Sequence, residues 1–160
     1  MHVSNTDNTW LTWLAVAQVL SWVVVIIGWY VTHNSNNQRE RRKEIRSALD
    51  GLGEQLDTFI ESAGKYYAST ADSEEAAELA AKMRILQDRL MRHIPRVAKG
   101  DLEMDISPEL NRLIDSATGG DFEGAKRKPR KPSDWFILNI SSDAERVRGR
   151  LEDAFIDRYR

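Results

Sequence analysis

Apolar residues are distributed along this chain in two distinct ways. From Trp10 to Val31 they run almost without interruption, WLTWLAVAQVLSWVVVIIGWYV, about 22 residues with no formal charge, where ~20 helical residues suffice to cross the hydrocarbon core of a bilayer. Thr12, Gln18 and Ser21 are the polar members, and none is ionised. Trp10 and Trp13 stand near one end and Trp29 and Tyr30 at the other, where aromatic side chains favour the headgroup level. The pattern predicts a single transmembrane helix over residues 10–31. A secretory signal peptide cleaved after Ala15-Val16-Ala17 fits poorly, because no basic segment and almost no apolar core would precede the cut.

Beyond residue 32 the apolar positions become periodic. Ile45, Leu49, Leu52, Leu56, Phe59 and Ala63 recur at alternating steps of four and three, the a/d spacing of a helix with one apolar stripe. No Pro or Gly interrupts HNSNNQ at 33–38, so one continuous helix from Trp10 to about Tyr67 is expected, with a bend sought at Gly51-Leu52-Gly53. A turn at 68–73 follows, with Asp72 or Ser73 as the cap of a second helix. Its stripe is Ala76, Leu79, Ala80, Met83, Leu86 or Gln87, Leu90 and Ile94, and Pro95 is expected to end or kink it. Two such helices joined by a short turn make an antiparallel hairpin over 45–95, zipped along Ile45, Leu49, Leu52, Leu56 and Phe59 on one side and Leu79, Met83, Leu86 and Leu90 on the other.

The remainder is less regular. A linker at 96–106 leads to Ser107-Pro108-Glu109, a helix start with Ser as cap, and Leu110, Leu113, Ile114 and Ala117 form a short apolar face over 107–118. Gly119-Gly120 stops it. Residues 119–134 read as a basic linker, and 135–160 as a C-terminal helix carrying Ile140, Ala144, Val147, Leu151, Ala154 and Phe155, with Ser141 or Ser142 as its cap. No alternating run predicts a strand. The expected fold is all-α: a single N-terminal transmembrane helix followed by a cytoplasmic helical hairpin or small helical bundle.

Charge refines this picture. Residues 1–9 hold no Lys or Arg, whereas Arg39, Arg41, Arg42 and Lys43 follow the span within the basic juxtamembrane helix 32–44. By the positive-inside rule the N-terminus is expected outside and the C-terminal domain in the cytoplasm. The net charge of −2 over 160 residues sets up no global field, so nucleic acid is not an expected partner. Two local basic patches are candidates for anionic lipid or an acidic partner: Arg39, Arg41, Arg42 and Lys43, and the segment Lys126, Arg127, Lys128, Arg130 and Lys131. The alternatives are that the first only fixes topology and that the second is an open, solvated linker.

Candidate chemistry is sparse. The chain has no cysteine, which removes disulfides and thiolate sites. His2, His33 and His93 are scattered, Asp101, Glu103 and Asp105 lack the spacing of a calcium loop, and Thr118-Gly119-Gly120-Asp121 lacks the Walker ending. No cofactor, metal or catalytic residue is therefore assigned. Within the span, Ala17, Gln18, Ser21 and Gly28 form a face of small and polar residues suited to helix packing. The expected function is a non-enzymatic, single-pass membrane-anchored interaction or scaffold module, oligomeric or bound to a protein partner at the cytoplasmic face. A membrane-perturbing effector of toxin, phage lysis or defence type is the second reading, and an enzyme assembled from scattered residues the third.

Overall fold

The computed structural model describes residues 9–160, with side chains from Trp13 onward apart from Ala15, Val31 and Ser35. The expectations for residues 1–8 and for the side chains of Trp10 and Thr12 lie outside the described residues. Four helices and no strand are present among them: α1 (Thr9–Ala68), α2 (Glu74–Gly100), α3 (Ser107–Thr118) and α4 (Trp135–Tyr159). The chain divides into two compact units, one through Lys43 and one from Glu44 to Arg160.

The first unit is the N-terminal part of α1. It holds the one helix among the described residues that is long and apolar enough to cross a membrane, and none of its apolar window is buried. Val24 is 68% exposed and Ile26 60%. Helical hydrogen bonding continues from Thr9 through Gly51 and Gly53 to Ala68, so no break in the helix occurs at the glycine pair.

The second unit buries a single core drawn from α1, α2, α3 and α4. The α1 stripe is fully inside: Ile45, Leu49, Leu52, Leu56, Phe59 and Ala63 are all buried, and the stripe runs one turn further through Tyr66 and Tyr67. On α2, Ala76, Ala80, Met83, Leu86, Leu90, Ile94 and Ala98 are buried, and Leu79 packs at the edge. The Ser73 hydroxyl caps α2 by accepting from the Ala76 N–H at 3.1 Å, and Glu74 and Glu75 occupy the first turn, where the helix dipole favours acids.

Pro95 does not end α2, which continues to Gly100. Proline removes one N–H and crowds the preceding turn, yet burial of Ala98, Leu102 and Ile106 just beyond it holds the following residues to the core. The start of α3 also differs from the expected Ser cap. Ser107 lies inside the helix, and the Asp105 carboxylate accepts from both its N–H (3.0 Å) and its hydroxyl (2.6 Å). These two donors hold the Asp105 carboxyl below its ordinary value. In α4 the cap is Asp134, which accepts from the Phe136 N–H at 3.0 Å, not Ser141 or Ser142. The apolar run Trp135 to Leu138 is thus the first turn of the helix.

Polar contacts fix the register of the helices. Arg148 of α4 pairs with Asp57 of α1, Arg46 pairs with Glu152 at 2.6 Å, and the Tyr67 and Phe136 rings meet at 4.7 Å. Rising numbers on one helix thus meet falling numbers on the other, which makes α4 antiparallel to the second half of α1. Between α3 and α4, Arg112 reaches Asp143 at 3.0 Å and Arg150 reaches Glu109 at 3.2 Å, again antiparallel. Asp143 is buried and also faces Arg146 at 3.4 Å, so its charge is compensated where solvent is excluded.

Glycine is required by geometry at the end of α3. A Cβ on Gly119 would lie 2.4 Å from the Asp115 carbonyl oxygen, and Gly120 has φ +63°, a left-handed conformation that favours glycine. Gly64 is different: nothing lies within 4 Å of the position its Cβ would take. Gly64→Ala should therefore stabilise the bundle by about 0.5–1 kcal/mol through helix propensity alone. The check is the midpoint of thermal unfolding in detergent, which should rise; a fall would mean that the position is needed open.

Candidate interaction surface

The most elaborated part of the bundle is the end where α1 stops and α4 begins. Tyr66 and Tyr67 close the apolar stripe of α1, and residues 119–134 fold back across them. The Tyr67 hydroxyl donates to the Ala117 carbonyl at 2.7 Å, and the Tyr66 hydroxyl accepts from the Glu123 N–H at 2.7 Å. Phe122 lies 5.1 Å from the Tyr66 ring, a separation at which tilted aromatic pairs add roughly 0.5–1.5 kcal/mol to area burial.

Arg127 sits at the centre. Only 5% exposed, its guanidinium lies over the Tyr66 ring at 4.1 Å and near the Tyr67 ring at 5.7 Å. Its Nη1 donates to the Ser69 carbonyl at 3.0 Å, satisfying an acceptor just past the end of α1. Arg130 is the second anchor. Its guanidinium covers the Phe136 ring at 4.4 Å, pairs with Asp121 at 3.2 Å, and its backbone N–H donates to the Tyr67 carbonyl at 2.7 Å. Glu123, held at φ 60°, pairs with Arg84.

The expectation of an open, solvated linker at 119–134 is thus corrected by the structure. The physical reason is that two exposed tyrosines would otherwise end α1, and arginine can cover them because its planar cation stacks where a lysine ammonium would not. The five cations of the segment separate into two groups. Arg127 and Arg130 face inward and hold the fold, whereas Lys126, Lys128 and Lys131 are exposed, and among the described residues their side chains make no ion pair.

The remaining sequence-predicted residues lie as follows. Ala17, Gln18, Ser21 and Gly28 are exposed on the apolar helix, as are Trp13, Trp29 and Tyr30. Trp29 stacks on His33 at 5.2 Å, and the Thr32 hydroxyl donates to the Gly28 carbonyl at 2.8 Å. Arg39, Arg41, Arg42 and Lys43 are exposed. The two helix stripes are brought together, but inside one chain. Periodicity pointed to the stripes; it did not point to Tyr66 and Tyr67, although the same step pattern extends to them, nor to Asp134 as a cap directly before an apolar turn.

Clefts elsewhere offer little chemistry. One of about 600 Å³ is lined by Pro95, Lys99 and residues 103–107, and its carboxylate Asp105 is engaged in capping α3. Among the described residues no three His, Cys, Asp or Glu side chains converge as a metal site would require. Compared with known proteins, the chain matches no family model, no curated protein and no solved structure.

Two outcomes test this end of the bundle. Arg127→Ala should cost about 2–4 kcal/mol in urea unfolding, the combined scale of a desolvated cation–π contact and a charged hydrogen bond. Arg127→Lys should recover only part of it, and Lys126→Gln should change almost nothing. Burial, with the Asp121 and Tyr66 charges behind it, pushes the Tyr67 phenol well above its ordinary value near 10. The unfolded phenol therefore ionises first, and this contribution to stability is present below about pH 10 and declines above it. Tyr67→Phe should flatten that alkaline decline while costing ~1 kcal/mol at neutral pH; an unchanged decline would place its origin elsewhere.

Proposed function

We propose that this chain is a membrane-tethered helical interaction module. The helix from Thr9 crosses the bilayer once with its N-terminus outside, and the unit from Glu44 to Arg160 is presented in the cytoplasm to a protein partner. The single observation that carries the proposal is the contrast between the two units. The bundle buries its own stripes, whereas Trp13, Leu14, Val16, Val19, Leu20, Trp22 and the run Val23 to Ile27 are all 43% or more exposed. Covering each such side chain is worth roughly 1.5–3 kcal/mol, so leaving the whole run in water is opposed by tens of kcal/mol. A bilayer removes that cost. The lysine and arginine asymmetry, with Arg39, Arg41, Arg42 and Lys43 after the span and none among residues 1–9, supports this orientation.

The interaction half of the proposal has support of a different kind. The stripes at Ile45–Phe59 and Leu79–Leu90 lie in the core of one chain, so they are not the surface through which copies or partners would zip. Association between copies is assigned instead to the span face of Ala17, Gln18, Ser21 and Gly28, where close approach and an amide hydrogen bond contribute roughly 1 kcal/mol. Association with a partner falls to the outer surface of the bundle.

Membrane fractionation combined with cysteine labelling tests the tether. The chain has no cysteine, so single replacements report position without background. The protein should stay with membranes through alkaline carbonate. A cysteine at Ser4 should react with an impermeant maleimide in intact cells, and one at Ser142 only after permeabilisation. Extraction by carbonate, or the reverse labelling, contradicts the proposal. Crosslinking in living cells tests the module: one defined partner, or the chain's own copies, should be recovered, and a chain that crosslinks to neither is not an interaction module.

A further inference from the structure

We infer that Trp135 and Leu138, together with Lys126, Lys128 and Lys131, form a docking face for an acidic segment of a partner protein that carries an apolar side chain. This rests on the proposal that the bundle is an interaction module, and it names the face and the chemistry of what binds there.

Trp135 is 68% exposed. The other tryptophans of the chain, at 10, 13, 22 and 29, all fall in the apolar N-terminal helix. The Trp135 indole meets the Phe136 ring edge-on at 6.1 Å yet stays on the surface, while Asp134 supplies the cap of α4 and Phe136 the inward aromatic contact. Leu138, one helical turn later on the same face, is 55% exposed. The two make an outward apolar knob on the first turn of α4, and large exposed aromatic side chains of this kind dominate binding surfaces.

The unpaired charge of the segment that leads into this turn is of one sign. The acids of the segment are already matched, Asp121 and Asp134 by Arg130 and Glu123 by Arg84. Lys126, Lys128 and Lys131 are exposed and have no ion-pair partner among the described residues. The Asp134 N–H donates to the Lys131 carbonyl at 2.9 Å, closing the turn that leads into α4, and the Arg130 guanidinium lies 4.4 Å from the ring of Phe136, the residue after Trp135. Because Arg127 is buried and Arg130 is tied at both its backbone and its guanidinium, the surface is ordered before anything binds, which lowers the entropy lost on association.

A protein segment fits this face better than a lipid surface does. An interfacial membrane helix needs a long apolar side, but the outward positions that follow Leu138 are Asn139, Ser142, Glu145 and Arg146. The apolar patch ends after one turn, which is the size of an anchor contact rimmed by charge.

The test uses the full-length protein in nanodiscs of neutral phosphatidylcholine. The probe is a fluorescein-labelled twelve-residue peptide of Glu and Asp with one Leu and one Phe. Fluorescence anisotropy should show saturable binding that weakens with salt, while the same peptide with Lys in place of the acids should not bind. Lys126→Gln/Lys128→Gln/Lys131→Gln and, separately, Trp135→Ala should each weaken binding by about 30-fold, the scale for removing a binding hot spot, with helical content unchanged because every altered side chain is exposed. Absence of saturable binding, or binding that survives both variants, overturns the inference. So does flotation with phosphatidylglycerol vesicles that depends on the three lysines while the acidic peptide fails to bind, which would assign the face to a lipid surface. Each of these failures leaves the fractionation, labelling and crosslinking outcomes untouched, so the docking face and the tethered module are judged separately.

Discussion

Burial of the apolar stripe that begins at Ile45 and ends at Tyr67 is the constraint the rest of the bundle serves. Each residue of that stripe lies at helical spacing on one side of α1, and one side of one helix cannot cover itself. Helix α2 supplies a second stripe through Met83 and Leu90, and α4 runs antiparallel along α1 with Val147 and Leu151 inside. Polar contacts then select one register from the many that apolar packing would allow. Arg148 meets Asp57 and the Gly53 carbonyl, and Arg46 meets both Glu152 and the face of Phe155. Single exposed ion pairs of this sort contribute little to stability; their value is that a helix shifted by one turn would break several at once.

The stripe also explains the basic segment. Carrying the apolar face through Tyr66 and Tyr67 leaves two aromatic rings at the helix end, beside the first turns of α2. Residues 119–134 close that end with a guanidinium instead of an aliphatic side chain. Arg127 gives the ring a cation and the terminal carbonyl of Ser69 a donor in the same side chain. One consequence faces outward. Once the two arginines turn in, three lysines and the Trp135 indole remain exposed, and a segment rich in charge is folded against the bundle rather than left as a tether.

Much of the helical architecture was legible in the sequence because it depends on local periodicity. Stripes at Ile45–Ala63 and Ala76–Ile94 can be counted without knowing what they pack against. Ends were harder to read. Pro95 is a strong local stop signal, but burial of Ala98 beyond it outweighed that signal, and this burial is a tertiary fact. Ser107 and Ser142 are good caps by type, yet α4 is capped by Asp134, which lies where the backbone enters the helix, and at α3 the N-cap position falls on Ile106 while Asp105, one residue earlier, accepts from the Ser107 N–H. The fate of the basic segment was not legible at all. Lys-Arg-Lys-Pro-Arg-Lys has the composition of an open linker, and only the presence of two tyrosine rings nearby in space decides which of its cations turn inward. The apolar run at Trp10–Val31 is the opposite case: composition alone marks a helix long and apolar enough to cross a membrane, and no part of the window found among the described residues is buried.

The bundle covers its own apolar stripes within one chain. Amide hydrogen exchange on the full-length protein in nanodiscs, repeated over a hundredfold range of protein concentration, measures this most directly. Protection at Phe59, Met83, Leu90 and Val147 should be high, similar in all four helices' core positions, and independent of concentration, as for one cooperative unit. Protection at Phe59 and Leu90 that falls on dilution would contradict the account, because the stripes would then be covered by a second copy and not by the chain's own helices.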